Sequence, residues 1–255
     1  MPRFFVNADG LSPENGTAVL RGADAAHVSR SLRMKPGEKL TLCGEDGVEY
    51  ETVIESAGDE VLVRILSAKP SENEPPYDAV VYQGLARGDR FETVLMKATE
   101  LGACRIVPVT TARCVVRIDP KDAAKKRERW QKIAAEAAGQ SGRGRIPEVA
   151  PPMPFTEAIR EAARADLPLF CYEGGGETPT VPLPELMKER PRTVSVMIGP
   201  EGGFEPEEAA LAVEAGMKAA GLGRRILRTE TAAPFVLSAL VCRYELTSAG
   251  DDADG

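Results

Sequence analysis

Met197-Ile198-Gly199-Pro200-Glu201-Gly202-Gly203-Phe204 closes an apolar run that reads as a buried strand, and Glu205-Pro206 behind it opens a helix. Leu222-Gly223-Arg224-Arg225-Ile226-Leu227-Arg228-Thr229-Glu230-Thr231-Ala232 repeats that arrangement of strand, loop and helix. Two such units in succession predict an α/β domain built on a parallel sheet. Ligands of open parallel sheets sit beyond the carboxyl ends of the strands. Both loops occupy such positions, and their glycines allow tight turns and close approach to a ligand.

The strand and helix rhythm extends upstream. Ala79–Gln83, Arg105–Val109, Pro168–Tyr172 and Thr193–Ile198 are short apolar strands. A helix between the first two puts Phe91, Val94, Leu95, Ala98 and Leu101 on one face, with Asp89 and Glu92 as a capping-box start and Gly102 as the stop. Asp119-Pro120 opens a basic helix running to about Ala138, with Trp130, Ile133, Ala134 and Ala137 inward. The last helix has no charge from Thr231 to Cys242; Thr231 caps it and Pro234 falls in its first turn. A helix apolar all round must be enclosed by its own fold or by a partner subunit.

The N-terminal part has a different texture. Lys39–Cys43, the turn Gly44–Gly47 and Val48–Ile54 form a hairpin pattern, and Val61–Leu66 adds a strand, predicting a small β-barrel over residues 1–70. The polar, proline-rich stretch from Ala68 to Tyr77 places a linker at 71–78, with the α/β domain at 79–248. Residues 249–255 are acidic and polar and are expected to be disordered.

With 255 residues, 43% of them hydrophobic, the chain can bury a sizeable core. No apolar run is long enough to span a bilayer and no signal peptide is visible, so a cytoplasmic location is expected. Five scattered cysteines and one histidine argue against a disulfide framework or a metal site. The net charge of −7 hides an uneven distribution: residues 113–145 hold ten Lys or Arg against four acids, and His27–Lys35 holds Arg30, Arg33 and Lys35 with no acid. Such local patches decide where a polyanion docks.

Around the first loop, Glu201, Glu205, Glu207 and Glu208 crowd a helix N-terminus that otherwise suits a phosphate. Their repulsion favours a ligand with a cationic centre, such as the sulfonium of S-adenosylmethionine. No P-loop and no nucleophile elbow is present, and Gly221-Leu222-Gly223 lacks the third glycine of a dinucleotide fingerprint.

The two quoted motifs, together with Lys97-Ala-Thr-Glu100-Leu-Gly102, Gln140-Ser141-Gly142-Arg143 and the N-terminal Arg3-Phe4-Phe5, resemble the RsmE group of SPOUT RNA methyltransferases over nearly the whole chain. The resemblance implies an N-terminal PUA-like barrel for RNA and a C-terminal α/β domain with a deep trefoil knot. It also implies a homodimer, bound S-adenosylmethionine, and methylation of uracil N3 in 16S rRNA near the decoding region. Carried over by motif, the cofactor contacts are Ile198, Gly199, Pro200, Glu201, Gly202, Gly203, Leu222, Gly223, Ile226, Leu227, Arg228, Thr231 and Ala232. Arg228 is the candidate for stabilising charge on the uracil. Glu230 either accepts the N3 proton or, as the preferred reading, serves structure or cofactor. Arg3, His27, Arg30, Arg33, Lys35, Arg113 and Arg143 are the expected RNA contacts, and no metal is expected. Ala112 and Gly139 stand where relatives carry acids, which leaves open a non-catalytic RNA-binding or ribosome-assembly protein with the same fold.

Overall fold

The computed structural model describes residues 1–174 and 178–247, so the expected disordered tail at 249–255 lies outside the described residues. The chain forms two compact units: Met1–Glu74 with Ala138–Ile146, and Pro75–Ala137 with the chain from Pro147 onward. The expected linker therefore divides, its first four residues belonging to the N-terminal unit. Ser71 donates to Glu49 Oε1 at 2.6 Å, and Glu74 accepts from Arg143 Nη2 at 2.6 Å and from Gly144 N–H at 2.8 Å. What composition marks as a flexible connector is held by charge-assisted hydrogen bonds.

The N-terminal unit contains β1 (Arg3–Val6), β2 (Leu11–Ser12), β3 (Thr17–Leu20), α1 (Gly22–Ala26), β4 (Lys39–Gly44), β5 (Val48–Ala57) and β6 (Val61–Pro70). The strands form one curled sheet in the order β1-β4-β5-β6-β3-β2, antiparallel except for the β1–β4 pair. Two register shifts, at Glu51/Thr52 and Ile54/Ser56, bend the long β5–β6 ribbon. That curvature folds the apolar face around Phe4, Leu20, Leu40, Leu42, Ile54 and Val63, all buried.

The C-terminal unit begins with β7 (Asp78–Gly84), α2 (Arg90–Glu100), β8 (Ala103–Thr110) and α3 (Pro120–Ser141), the last turn of which belongs to the other unit. It continues through β9 (Glu148–Val149), β10 (Met153–Pro154), α4 (Phe155–Ala162), β11 (Leu167–Cys171), β12 (Val181–Pro182) and α5 (Leu183–Leu186). β13 (Thr193–Ile198), α6 (Pro206–Glu214), β14 (Lys218–Gly221) and α7 (Thr229–Val241) complete it. The sheet order is β10-β8-β7-β13-β11-β14-β12, with β9 on β8, and every pairing is parallel. Parallel strands covered on both faces must be apolar throughout, and β11 is buried at each of its five residues. All these strands point their carboxyl ends toward one side, where both glycine-rich loops emerge.

Two expected helix starts differ from the sequence reading. Asp89 makes no side-chain cap, its backbone being helical (φ −90, ψ 0) rather than extended, and Glu92 pairs with Arg129 at 2.8 Å. The last helix starts at Thr229 rather than at a Thr231 cap, so Pro234 lies inside it. Pro234 has no N–H to give the carbonyl of Glu230, which opens the helix beside the second loop.

Candidate active site

The two loops meet at their bases. The Thr229 hydroxyl donates to the Gly199 carbonyl at 2.6 Å, and Gln83 Nε2 donates to Thr229 Oγ1 at 2.8 Å. Gln83 is fully buried at the end of β7, and its Oε1 has no partner among the described residues. The next residue, Gly84, lies against the first loop: a Cβ there would stand 2.5 Å from the nitrogen of Pro200. Within that loop the Gly203 N–H closes a turn on the Pro200 carbonyl at 2.9 Å, with Gly203 at φ 68. Phe204 then anchors the loop to the core, its ring centroid 4.4 Å from that of Phe170.

Between the loops lies a pocket of about 420 Å³. Ile198, Gly199, Pro200, Glu201 and Gly203 wall it from the first loop; Leu222, Gly223, Ile226, Leu227, Arg228 and Ala232 wall it from the second. Glu230 lines it too. Gly202 and Thr231 do not: Gly202 turns toward Arg113, and Thr231 is exposed on α7. Sequence reasoning missed Arg90, Tyr172, Glu173, Phe204, Arg225 and Thr229. Tyr172 and Glu173 follow the carboxyl end of β11, so the rule that selected the other loops was the signal available for them. Cys171 also lines the pocket, where burial pushes its thiol up to about 12 and makes it inert.

The acids of the first loop are not free to meet a cationic ligand. Glu201 accepts from Arg90 Nη1 at 2.6 Å and from Arg87 N–H at 2.8 Å. Burial raises its carboxyl, but these donors outweigh burial and hold it below the usual carboxylate range. Glu205 pairs with Arg113 at 2.7 Å, which lowers its carboxyl in the same way. Glu208 accepts from the Glu205 N–H at 3.0 Å and the Ala112 N–H at 2.8 Å. The electrostatic argument for a sulfonium ligand thus loses three of its four carboxylates to arginines and backbone. The acids serve to shape the loop and cap α6.

The chemically open groups lie further in and further out. Glu230 has one oxygen 3.7 Å from Arg90 Nε, and the other is buried without a partner among the described residues. Arg228 reaches the pocket rim with no ion pair among the described residues, while its carbonyl accepts from the Thr231 and Ala232 N–H groups and fixes its backbone.

The expected RNA contacts divide into two sets. His27, Arg30, Arg33 and Lys35 are exposed on the N-terminal unit; Arg30 reaches Asp59 at 3.3 Å in a fully solvated pair, and Arg33 adopts φ 54. Arg3 and Arg143 are instead internal. Arg3 pairs with Glu49 at 2.7 Å, and the Arg143 side chain is 3% exposed and bound to Glu74, so neither is presented to a phosphate. Arg113 is half-exposed but engaged by Glu205 and the Gly202 carbonyl. Ala112 and Gly139, where acids were expected, do not line the pocket.

Residues 73–241 match the family model of an RNA methyltransferase domain, and residues 20–66 match that of an RNA methyltransferase PUA domain. Ribosomal RNA small subunit methyltransferase E of Bacillus subtilis is 34% identical over 251 residues, covering 96% of this chain and 98% of that protein. The enzyme of that name from Neisseria gonorrhoeae, solved bound to S-adenosyl methionine, is 32% identical with a TM-score of 0.80, covering 95% and 97% of the two chains. A putative methyltransferase from Legionella pneumophila, solved with the bound cofactor SAM, is 34% identical with a TM-score of 0.80, covering 94% and 96%. Domain pair, sequence and fold agree, and the chain belongs to the ribosomal RNA small subunit methyltransferase E family of RNA methyltransferases.

Proposed function

We propose that this protein methylates N3 of a uracil in 16S rRNA, in the cytoplasm and as a homodimer, with S-adenosylmethionine as methyl donor. The observation that carries the reading is the pocket at the carboxyl end of the parallel sheet, walled by both motif loops in a chain of this family. Its chemistry suits the donor. Ile198, Leu222, Leu227 and Ala232 supply apolar wall, Gly199, Gly203 and Gly223 supply backbone without side chains, and the buried oxygen of Glu230 supplies an unused acceptor. The cofactor brings an activated methyl group.

The chain's own residues must do the rest. Uracil N3 carries a proton and is hidden by base pairing, so the base has to be presented unpaired and its N3 anion favoured. Arg228, ion-paired to nothing among the described residues, can place a guanidinium beside the charge that develops on a uracil oxygen. Glu230 offers its free oxygen as a hydrogen-bond acceptor, and Arg90 fixes the other one. The exposed basic turn His27–Lys35 supplies phosphate contacts on the N-terminal unit. The exposed apolar residues Phe235 on α7 and Met96 on α2 support a second copy docking there. The absent acids at 112 and 139 do not favour a non-catalytic reading, because neither position belongs to the pocket.

Nucleoside mass spectrometry of 16S rRNA from a strain lacking this gene tests the proposal. Loss of 3-methyluridine, restored by the intact gene, is expected; an unchanged 3-methyluridine level rejects it.

A further inference from the structure

The charges around the pocket are sorted. The arginines beside the first loop are neutralised, Arg90 by Glu201 and Arg113 by Glu205. On the second loop, Arg224, Arg225 and Arg228 are exposed, and none has an ion-pair partner among the described residues. Between them stands Ile226, 82% exposed, the most exposed of the large apolar side chains that the described surface presents. The loop that carries it is pinned at its base by the Thr229–Gly199 hydrogen bond, and its flanking Leu222 and Leu227 are half-buried. Ile226 is therefore held out from a fixed base, in a frame of open guanidinium groups.

A surface that keeps an isoleucine in water and leaves three cations unpaired fits a partner with both negative charge and flat apolar faces. Single-stranded RNA has that composition: phosphates for the guanidiniums and unstacked bases for the side chain. Chemistry on a base also requires that the base leave its stack, and apolar wedges hold such gaps open. We infer that Ile226, Arg224 and Arg225 form a substrate clamp, in which Ile226 packs on the base next to the target and the two arginines take flanking phosphates. This rests on the RNA methyltransferase reading of the pocket and gives Ile226, which borders the pocket with the rest of its loop, an outward role toward the RNA.

The full-length protein tests the clamp with a single-stranded 16S rRNA fragment that holds the target uridine, with 2-aminopurine at its neighbour. An R224A/R225A variant is expected to flatten the slope of log affinity against log salt by about 1.4, at about 0.7 per single-strand phosphate contact. Ile226→Ser is expected to weaken RNA binding about tenfold and to quench the 2-aminopurine signal of the complex, a larger loss than that of S-adenosylmethionine affinity by calorimetry, since the residue also borders the pocket. Weaker S-adenosylmethionine binding in Ile226→Ser with unchanged RNA affinity overturns the inference and makes the residue a cofactor cover. RNA affinity and salt slope unchanged in both variants, with methylation by the wild type intact, overturn the clamp alone. A wild type that neither binds nor methylates the fragment overturns the functional reading and the clamp with it.

Discussion

Arg90 joins the two loops of the pocket through one guanidinium. Its Nη1 holds Glu201 of the first loop at 2.6 Å, and its Nε lies 3.7 Å from Glu230 at the start of α7. Removing it leaves Glu201 with backbone donors alone, the Arg87 N–H and its own, and frees Glu230 from its cation. Arg90→Ala is therefore expected to weaken S-adenosylmethionine binding about tenfold, or about 1.4 kcal/mol, with partial recovery in Arg90→Lys. Calorimetric titration measures this, and unchanged affinity would show that the loops hold without the bridge. The Arg228 side chain, by contrast, has no ion-pair partner among the described residues. Arg228→Ala is expected to retain cofactor affinity while kcat falls about 100-fold or more, the loss seen when one stabiliser of developing charge is removed. Single-turnover kinetics separates those two quantities, and an unchanged rate takes Arg228 out of the chemistry.

At the scale of elements, the first loop is set by an aromatic anchor and the N-terminal unit by a buried ion network. Phe204 stacks at 4.4 Å on Phe170 and 5.8 Å from Phe155. Phe204→Ala is expected to cost about 3 kcal/mol through the cavity it leaves, read as a lower denaturation midpoint together with weaker cofactor binding. In the N-terminal unit Glu74 ties Arg143, Arg145 and the Gly144 N–H. Burial raises its carboxyl and these donors more than reverse that, so the folded value lies below the ordinary 4.5. A depressed carboxylate contributes stability that is complete above its unfolded value and is lost as pH falls through the folded one. Glu74→Gln should cost about 3 kcal/mol at pH 7 by removing the negative charge that Arg143 and Arg145 share, and the gap to wild type should narrow below pH 4.5. Denaturation curves at the two pH values measure it; a constant gap excludes the ionised pair as the cause. This network also marks where sequence reading stopped. Period and turn residues located the longer strands and both loops, because those signals are local: Thr193–Ile198 is a strand with the expected bounds. Ion pairs between Arg3 and Glu49, or Arg143 and Glu74, join residues far apart in sequence. Nothing in the pattern separates such arginines from those offered to RNA. The partners of the acids after Gly199 were hidden for the same reason, since Arg90 at the start of α2 and Arg113 stand far from them in sequence.

The whole molecule carries −7 overall while exposing cations at the second loop and along His27–Lys35. That combination keeps binding to polyanions local and salt-sensitive. It also leaves one apolar surface unexplained by a single copy. Along α7 and just past its end, Thr231, Phe235, Ser238 and Cys242 are exposed at roughly helical spacing, and the segment from 231 to 242 holds no charge. Phe235 is 42% exposed there, and Met96 on the neighbouring α2 is 39% exposed. A self-complementary patch of this kind suits a two-fold homodimer, in which the same side chains serve both copies. Because α7 begins at the pocket, with Thr229 bonded to Gly199, the proposed homodimer would also steady the cofactor loops by packing on this helix. Phe235→Glu places two carboxylates at such an interface and is expected to give a monomer by light scattering at micromolar concentration. The same variant should bind S-adenosylmethionine more weakly, though Phe235 does not line the pocket. A dimer that persists in Phe235→Glu moves the interface off α7, and a monomer with unchanged cofactor affinity shows that the loops need no partner.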